Sequence, residues 1–382
     1  MSVAARGIST IVPPTVLAQD ELAELFAAQP GLTRLSRRLV ATAFGASGVE
    51  RRHTVLEELA PRRAGEGPPP VFLDPWTGEL LLPGTGARND AYAAHAGPLY
   101  AAAARAAIDA TPGIGPADVT HVITVSCTGF YAPGPDFVIA RELGLAPGVQ
   151  RYHLGFMGCY AAIPALRLAK QCCEADPDAV VLVVSVELCS LHVRSTTDPD
   201  GIVAASLFAD GAAAAIVTAR PAAAGERRLE LDSFATRITP QGEGDMAWRI
   251  GDHGFELTLS NAVPAIIGEH VVGALRPLLN AEGPLRRALA AGASAAAIPR
   301  WAIHPGGRSI LDRVAAALGL SARQLAPARR VLRDYGNMSS ATVLFVLRAL
   351  LDAPDIADGE RCVAMAFGPG LTVESALLTV RT

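Results

Sequence analysis

Lysine is almost missing from this 382-residue chain: of 33 basic residues only Lys170 is a lysine, and the others are arginine. Against 37 acidic residues the formal net charge is -4, and no Lys/Arg-rich run occurs. Nucleic acid binding needs a dense positive footprint, so it is excluded as a function. Charge is scarce overall, at 18%, and aromatic side chains make up 5%. No stretch approaches the roughly 18 consecutive apolar residues of a membrane span. The apolar patch at 8–16 follows Arg6 like a weak leader, but Pro13-Pro14 interrupts it, so the N-terminus reads as the start of a mature, soluble chain. The six cysteines (Cys127, Cys159, Cys172, Cys173, Cys189, Cys362) contain no CxxC pair, which excludes the usual zinc spacings and leaves no metal site. Free thiols point to a reducing cytoplasm. The arginine and alanine bias suggests a GC-rich, bacterial coding sequence.

What is present is a globular composition: 50% hydrophobic residues, with 36 Gly and 28 Pro spread along the chain. β-Branched apolar runs at 119–126 and 179–187 predict buried strands. Further strands are predicted at 150–154, 212–217, 228–235 and 301–303, with a hairpin of 361–367 and 371–380 across Gly368-Pro369-Gly370. Helical spacing covers 20–29, 32–44, 91–110, 136–143, 160–170, 263–280 and 309–318, and one more helix ends near Leu351. Residues 61–85 and 240–254 read as loops, and the Ala-rich stretch 285–298 as helix and connection. Strands alternating with helices predict a parallel sheet covered by helices through right-handed crossovers. The order of elements repeats, so the chain divides into halves at 1–225 and 226–382.

Cys159 lies where a Gly-containing turn feeds a helix whose Pro164 falls in the first turn, where a missing N–H costs nothing. The helix N-terminus favours a thiolate there, although a cysteine at such a place is more often a small buried hydrophobe. Two other turns change that balance. His304-Pro305-Gly306-Gly307 follows a short strand, and Asn337 sits in Tyr335-Gly336-Asn337-Met338-Ser339-Ser340-Ala341 before a helix. Such loop ends converge on the ligand crevice of an α/β sheet. A thiolate, an imidazole and a carboxamide suit acyl transfer with oxyanion or enolate stabilisation. They also suit a papain-type protease, but Met157-Gly158-Cys159-Tyr160-Ala161 does not match that signature.

Together with Leu207-Phe208-Ala209-Asp210-Gly211-Ala212-Ala213 and Phe367-Gly368-Pro369-Gly370-Leu371-Thr372-Val373-Glu374, these motifs resemble the type III polyketide synthases, the chalcone synthase-like branch of the thiolase superfamily. The resemblance implies a five-layered αβαβα thiolase fold with two duplicated halves. It also implies a homodimer and the use of acyl-CoA and malonyl-CoA without a metal or redox cofactor. Cys159 matches the acylated nucleophile, His304 and Asn337 the pair that supports malonyl decarboxylation, and Phe208 the gatekeeping aromatic. Leu257 stands where plant members have a second gatekeeping phenylalanine, Ala132 where they have a methionine, and His192 where they have a cavity threonine. Cys127, Glu187 and Ser339 fall where the family places groups that influence ring closure. The triplet Cys127-Thr128-Gly129 looks like bacterial members that make alkylresorcinols or alkylpyrones, and Ala132 with Leu257 is expected to open an aliphatic tunnel. Arg308, Arg38 and Arg52 are candidates for holding CoA phosphates. A β-ketoacyl-carrier-protein synthase III and a non-catalytic thiolase-fold partner subunit are the alternatives.

Overall fold

The computed structural model describes residues 2–60, 69–280, 282–292 and 297–382. The expected loop at 61–85 therefore lies partly outside the described residues, as does part of the stretch 285–298.

Thirteen strands are described: β1 (Ala4–Ile11), β2 (Thr15–Ala18), β3 (Arg51–Thr54), β4 (His121–Ser126), β5 (Gln150–Gly155), β6 (Val180–Leu188), β7 (Asp210–Thr218), β8 (Arg228–Ile238), β9 (Met246–Gly251), β10 (Gly254–Leu259), β11 (Arg300–Ile303), β12 (Arg361–Gly368) and β13 (Thr372–Arg381). Nine of them form one sheet in the order β11-β12-β13-β8-β1-β7-β6-β4-β5. The continuous apolar runs lie at its centre, where every residue of β4, β6 and β7 is buried. A strand covered on both faces needs no alternation of polar and apolar residues.

The expectation of a parallel sheet is corrected. Only β11/β12, β4/β5 and β4/β6 run parallel; the other neighbours are antiparallel. Parallel pairs occur where a helix carries the chain back across the sheet. The connection from β6 to β7 instead turns through a short helix, Pro199–Leu207, at one end of the sheet, and β12 reverses directly into β13. The order β1-β7-β6-β4 is repeated, with the same senses, by β8-β13-β12-β11. The two sets join only through Ala4 opposite Glu230 and Ala5 opposite Leu229.

Helices Ala162–Ala175 and Thr342–Leu351 each touch strands of both sets and form the middle layer. Thr85–Asp109 covers β1, β6 and β7 on one outer side. Val263–Asn280 covers β8 and β13 on the other, with Arg308–Leu318 packed against it. The Ala-rich face of Thr85–Asp109 lies on the Ala-rich β7, where small side chains let helix and sheet approach closely. This is the five-layered α/β thiolase fold. No helix among the described residues is long and apolar enough to cross a membrane.

Candidate active site

The turn that carries Cys159 leaves β5 through Phe156, whose φ is 59°, and Gly158, whose φ is 84°. A Cβ on Gly158 would lie 2.6 Å from Pro369 Cδ, so this turn can press against the β12–β13 hairpin only with glycine there. The helix begins at Ala162, three residues beyond Cys159, with Pro164 in its first turn. His304 ends β11 with its N–H on Met365 O at 2.8 Å, and its ring is buried. Neither ring nitrogen has a hydrogen-bond partner among the described residues.

Asn337 is fixed at both ends. Its N–H donates to Leu207 O, and its carbonyl accepts from Ala209 N–H, both at 2.9 Å, so it straddles Phe208. Its Oδ1 accepts the Ser339 N–H at 2.9 Å, which turns Nδ2 toward Gly306 O, 3.4 Å away, and the cavity. Ser339 holds that geometry with a φ of 45°, in the left-handed region. Cys159, His304 and Asn337 line one pocket, as do Cys127, Thr128, His192, Phe208, Leu257 and Ser339.

Behind the pocket wall Glu187 is buried and receives hydrogen bonds from Cys127 N–H at 3.0 Å, the Thr128 hydroxyl at 2.9 Å and the Ser340 hydroxyl. Burial pushes its carboxyl above the usual range, and these donors act against that shift. The Cys127 thiol lies 3.4 Å from Glu187 Oε1 and 3.3 Å from Ser339 Oγ.

An aromatic wall closes one side. His192 stacks on Phe255 at 4.2 Å and 14°, and Trp248 meets both rings nearly edge-on. The Trp248 indole N–H donates to Cys127 O at 2.7 Å. His192 Nε2 donates to Thr128 O at 2.8 Å, and Nδ1 accepts the Phe255 N–H at 3.0 Å. Burial holds this imidazole down at about 4, so it is neutral and fixed in one tautomer. Trp248 and Phe255 come from the β9–β10 hairpin, whose first strand lies within the stretch 240–254 expected to be loop, and His192 comes from the segment after β6. The hairpin's signal was a period of two: Met246 and Trp248, then Phe255, Leu257 and Leu259, all line the cavity. Away from this wall the pocket continues between Leu17, Leu22, Phe26, Leu59, Val193 and Ala205, an apolar annex.

The family model described as "Chalcone and stilbene synthases, N-terminal domain" matches residues 71–221, and the corresponding C-terminal domain model matches 230–381. This chain belongs to the chalcone and stilbene synthase family. It is 36% identical to bisdemethoxycurcumin synthase of Oryza sativa subsp. japonica, covering 98% of this chain and 92% of that protein. Among solved structures it is similar to PKS-I of the brown alga Ectocarpus siliculosus (28% identity, 99% of each chain, TM-score 0.88). It is also similar to 1,3,6,8-tetrahydroxynaphthalene synthase of Streptomyces coelicolor A3(2), a bacterial type III polyketide synthase (28% identity, 99% of each chain, TM-score 0.83). The chain is thus a type III polyketide synthase, an acyltransferase that works on CoA thioesters and needs no additional cofactor. Among the described residues no group of three His, Cys, Asp or Glu could hold a metal ion.

For this type III polyketide synthase the structure corrects three expectations. Ala132 does not line the cavity; it is exposed on a turn with a cis bond to Pro133, because the chain has already left the site after Thr128. The thiolate expected at Cys159 is opposed by burial. Burial pushes its thiol up to about 12, and the hydrogen bonds from Ser339 and Asn337 offset only part of that. Burial also holds the His304 imidazole down at about 3, which favours its neutral form. Arg52 is not free for phosphate: its side chain is buried, with both Nη atoms engaged by carbonyl oxygens. Arg38 is exposed on the helix Arg34–Ala46, outside the pocket lining. Arg308 is also exposed, 3.8 Å from Asp312, and its Cβ would lie 3.3 Å from a Cβ on Gly48.

Proposed function

We propose that Cys159 is the acylated nucleophile, that His304 and Asn337 hold the enolate, and that the starter is a medium or long aliphatic acyl-CoA. The carrying observation is the convergence, beside an apolar annex, of one thiol, an imidazole with two unpartnered nitrogens and an amide turned by Ser339. In loading, the Cys159 proton passes to His304, the sulfur attacks the acyl carbonyl, and CoA leaves as a thiolate that recovers that proton. Malonyl-CoA then loses CO2, and the electron pair of the broken bond becomes an enolate. Its oxygen accepts hydrogen bonds from neutral His304 N–H and Asn337 Nδ2–H, and its carbon attacks the thioester, expelling Cys159 as a thiolate. A carbon–carbon bond forms without a net oxidant or reductant. Repetition lengthens the chain until it cyclises to an alkylpyrone or alkylresorcinol, with the Glu187, Cys127 and Ser339 cluster beside the growing chain.

An aliphatic starter is supported by the shape of the cavity. Leu17, Leu22, Leu59, Val193 and Ala205 offer aliphatic contact beside Phe26, while Trp248, His192 and Phe255 pack their rings against one another elsewhere in the lining. Steady-state assays should give a higher kcat/KM for some C8 to C16 acyl-CoA than for p-coumaroyl-CoA. The reverse order would remove the aliphatic reading, and absence of any CoA-dependent product would remove the whole assignment. Arg308, exposed two residues beyond the lining residue Gly306 and itself outside the pocket lining, is assigned to the CoA phosphates. Arg308→Glu should raise KM for malonyl-CoA, and an unchanged KM would take it out of that role.

The same reading places the enzyme in a bacterial cytoplasm as a homodimer, with halves meeting at residues 225 and 226. Dimerisation is supported by the edge strand β5, which is largely exposed, and by exposed Phe130, Phe137 and Tyr152 nearby. Light scattering that gave the mass of one chain would contradict it.

A further inference from the structure

Arg52 is the buried arginine of the pocket lining, and no carboxylate forms an ion pair with it among the described residues, although the buried Asp210 acts on it through its charge. Its Nη1 donates to Ala205 O at 2.7 Å and Phe208 O at 2.8 Å. Its Nη2 donates to Ser206 O at 2.7 Å and to Gln19 Oε1. These carbonyls close the helix Pro199–Leu207, whose last turn has no intrahelical donors for them. A cation at that end also meets the negative pole of the helix dipole. Gln19 reinforces the grip by donating to Ser206 O and to Ser47 Oγ, each at 2.9 Å.

The gripped segment is also the one that anchors Asn337. Leu207 O and Ala209 N–H bond the Asn337 backbone on either side of Phe208. Gly336 has a φ of 73° and lies so close that a Cβ there would be 3.0 Å from Leu207 O. Three residues therefore connect the guanidinium to a pocket aromatic and to the amide that faces the cavity.

We propose that Arg52 is a positioning residue that sets Phe208 and Asn337 together, so that the enolate forms within reach of the acyl-thioester. This rests on the acyl-transfer reading above. When Arg52 is lost, the Ala205 and Phe208 carbonyls lose their donor and Ser206 O keeps only Gln19, the 207–209 segment relaxes, and the amide and the gate no longer hold a common geometry. Malonyl-CoA still loses CO2, but the enolate takes a proton and leaves as acetyl-CoA instead of attacking the thioester. Arg52 then controls coupling rather than CoA affinity.

The test measures CO2 released per product formed, with kcat and KM, in the wild-type enzyme and in Arg52→Gln and Arg52→Lys. Arg52→Gln should lower kcat for product by about tenfold or more, leave KM for malonyl-CoA within about threefold, and raise CO2 per product severalfold. Arg52→Lys, which keeps the charge but not the fork, should fall between the two. A rise in KM with unchanged CO2 per product would make Arg52 a phosphate anchor and overturn the proposal. Loss of product in proportion to loss of folded protein, at an unchanged ratio, would overturn it too. If Arg52→Gln does not fold, Gln19→Met removes one partner of the clamp: a raised ratio supports the proposal, and an unchanged ratio overturns it. A wild-type enzyme without product would count against the acyl-transfer reading itself. An active wild type with unaltered ratios in the variants would count against the role of Arg52 alone.

Discussion

Cys159→Ala should form no covalent acyl adduct by intact-mass measurement and should lose product formation by at least about 1,000-fold, because no other group in the pocket can take the acyl chain. Two further thiols line the same cavity, so this outcome is not trivial. Cys127 and Cys189 are both pushed well above the ordinary thiol range, first by burial and then by the Glu187 carboxylate. Cys127 lies directly against that carboxylate, and a thiolate there would face a like charge at 3.4 Å. Cys159 is also raised, by burial and by Glu187, but hydrogen bonds from Ser339 and from Asn337 act to lower it, the second of which Cys127 lacks, and it keeps surface open to the cavity. CO2 release from malonyl-CoA should survive in Cys159→Ala to within about tenfold, since His304 and Asn337 are untouched. An acyl adduct on Cys127 or Cys189, or retained product, would transfer the nucleophile's role.

The three turns that carry this chemistry were legible because each has a residue type that only a tight turn into a helix explains. Gly158, Gly306 and Gly336 mark where the backbone approaches a neighbour too closely for a side chain. The buried strands were legible for a related reason: β6 and β7 carry long apolar runs, Val180–Val184 and Ala212–Val217, that cannot be surface elements. Strand direction was not legible. The same alternation of strand and helix serves parallel crossovers and the antiparallel return from β6 to β7 through Pro199–Leu207.

The residues that were missed belong to segments whose local composition gives little away. β1 lies near the middle of the sheet, although its sequence, Ala-Ala-Arg-Gly-Ile-Ser-Thr-Ile, reads as a mixed N-terminal patch. It is held there by its neighbours and by Arg6, buried against Glu226 with Nη2 to Oε2 at 2.6 Å. Trp248 was missed because glycines and charges flank the β9–β10 hairpin and mask its period of two. Arg52 was read as a candidate for the CoA phosphates because its actual partners are carbonyl oxygens, and no sequence pattern reveals those.

The thiolate expectation failed on magnitude. A helix N-terminus contributes up to roughly 1 kcal/mol at an exposed site, while full burial of a charge costs several times that. Proton transfer to His304 therefore has to create the nucleophile, and this makes His304 serve twice. In His304→Gln, alkylation of Cys159 by iodoacetamide at pH 7 should slow by about tenfold or more, and its onset should move to higher pH. Equal rates in the variant and the wild type would return that task to the helix end.

Decarboxylation should fall in the same variant by about 100- to 1,000-fold, the usual cost of one preorganised oxyanion donor. Asn337→Asp tests the other donor almost isosterically. Its Oδ1 can still accept the Ser339 N–H, now at 2.9 Å from Asn337 Oδ1, so the turn should be kept. The second carboxylate oxygen would then face the cavity in place of Nδ2, and a developing enolate would meet a negative charge instead of a donor. Release of CO2 in Asn337→Asp should fall at least as far as in His304→Gln, while single-turnover acylation of Cys159 stays within about tenfold. The two steps separate because loading draws on the thiol and the imidazole, whereas enolate formation draws on the imidazole and the amide. Equal losses in both steps would mean that the hydrogen bond from Asn337 to the thiol matters as much as its hold on the enolate.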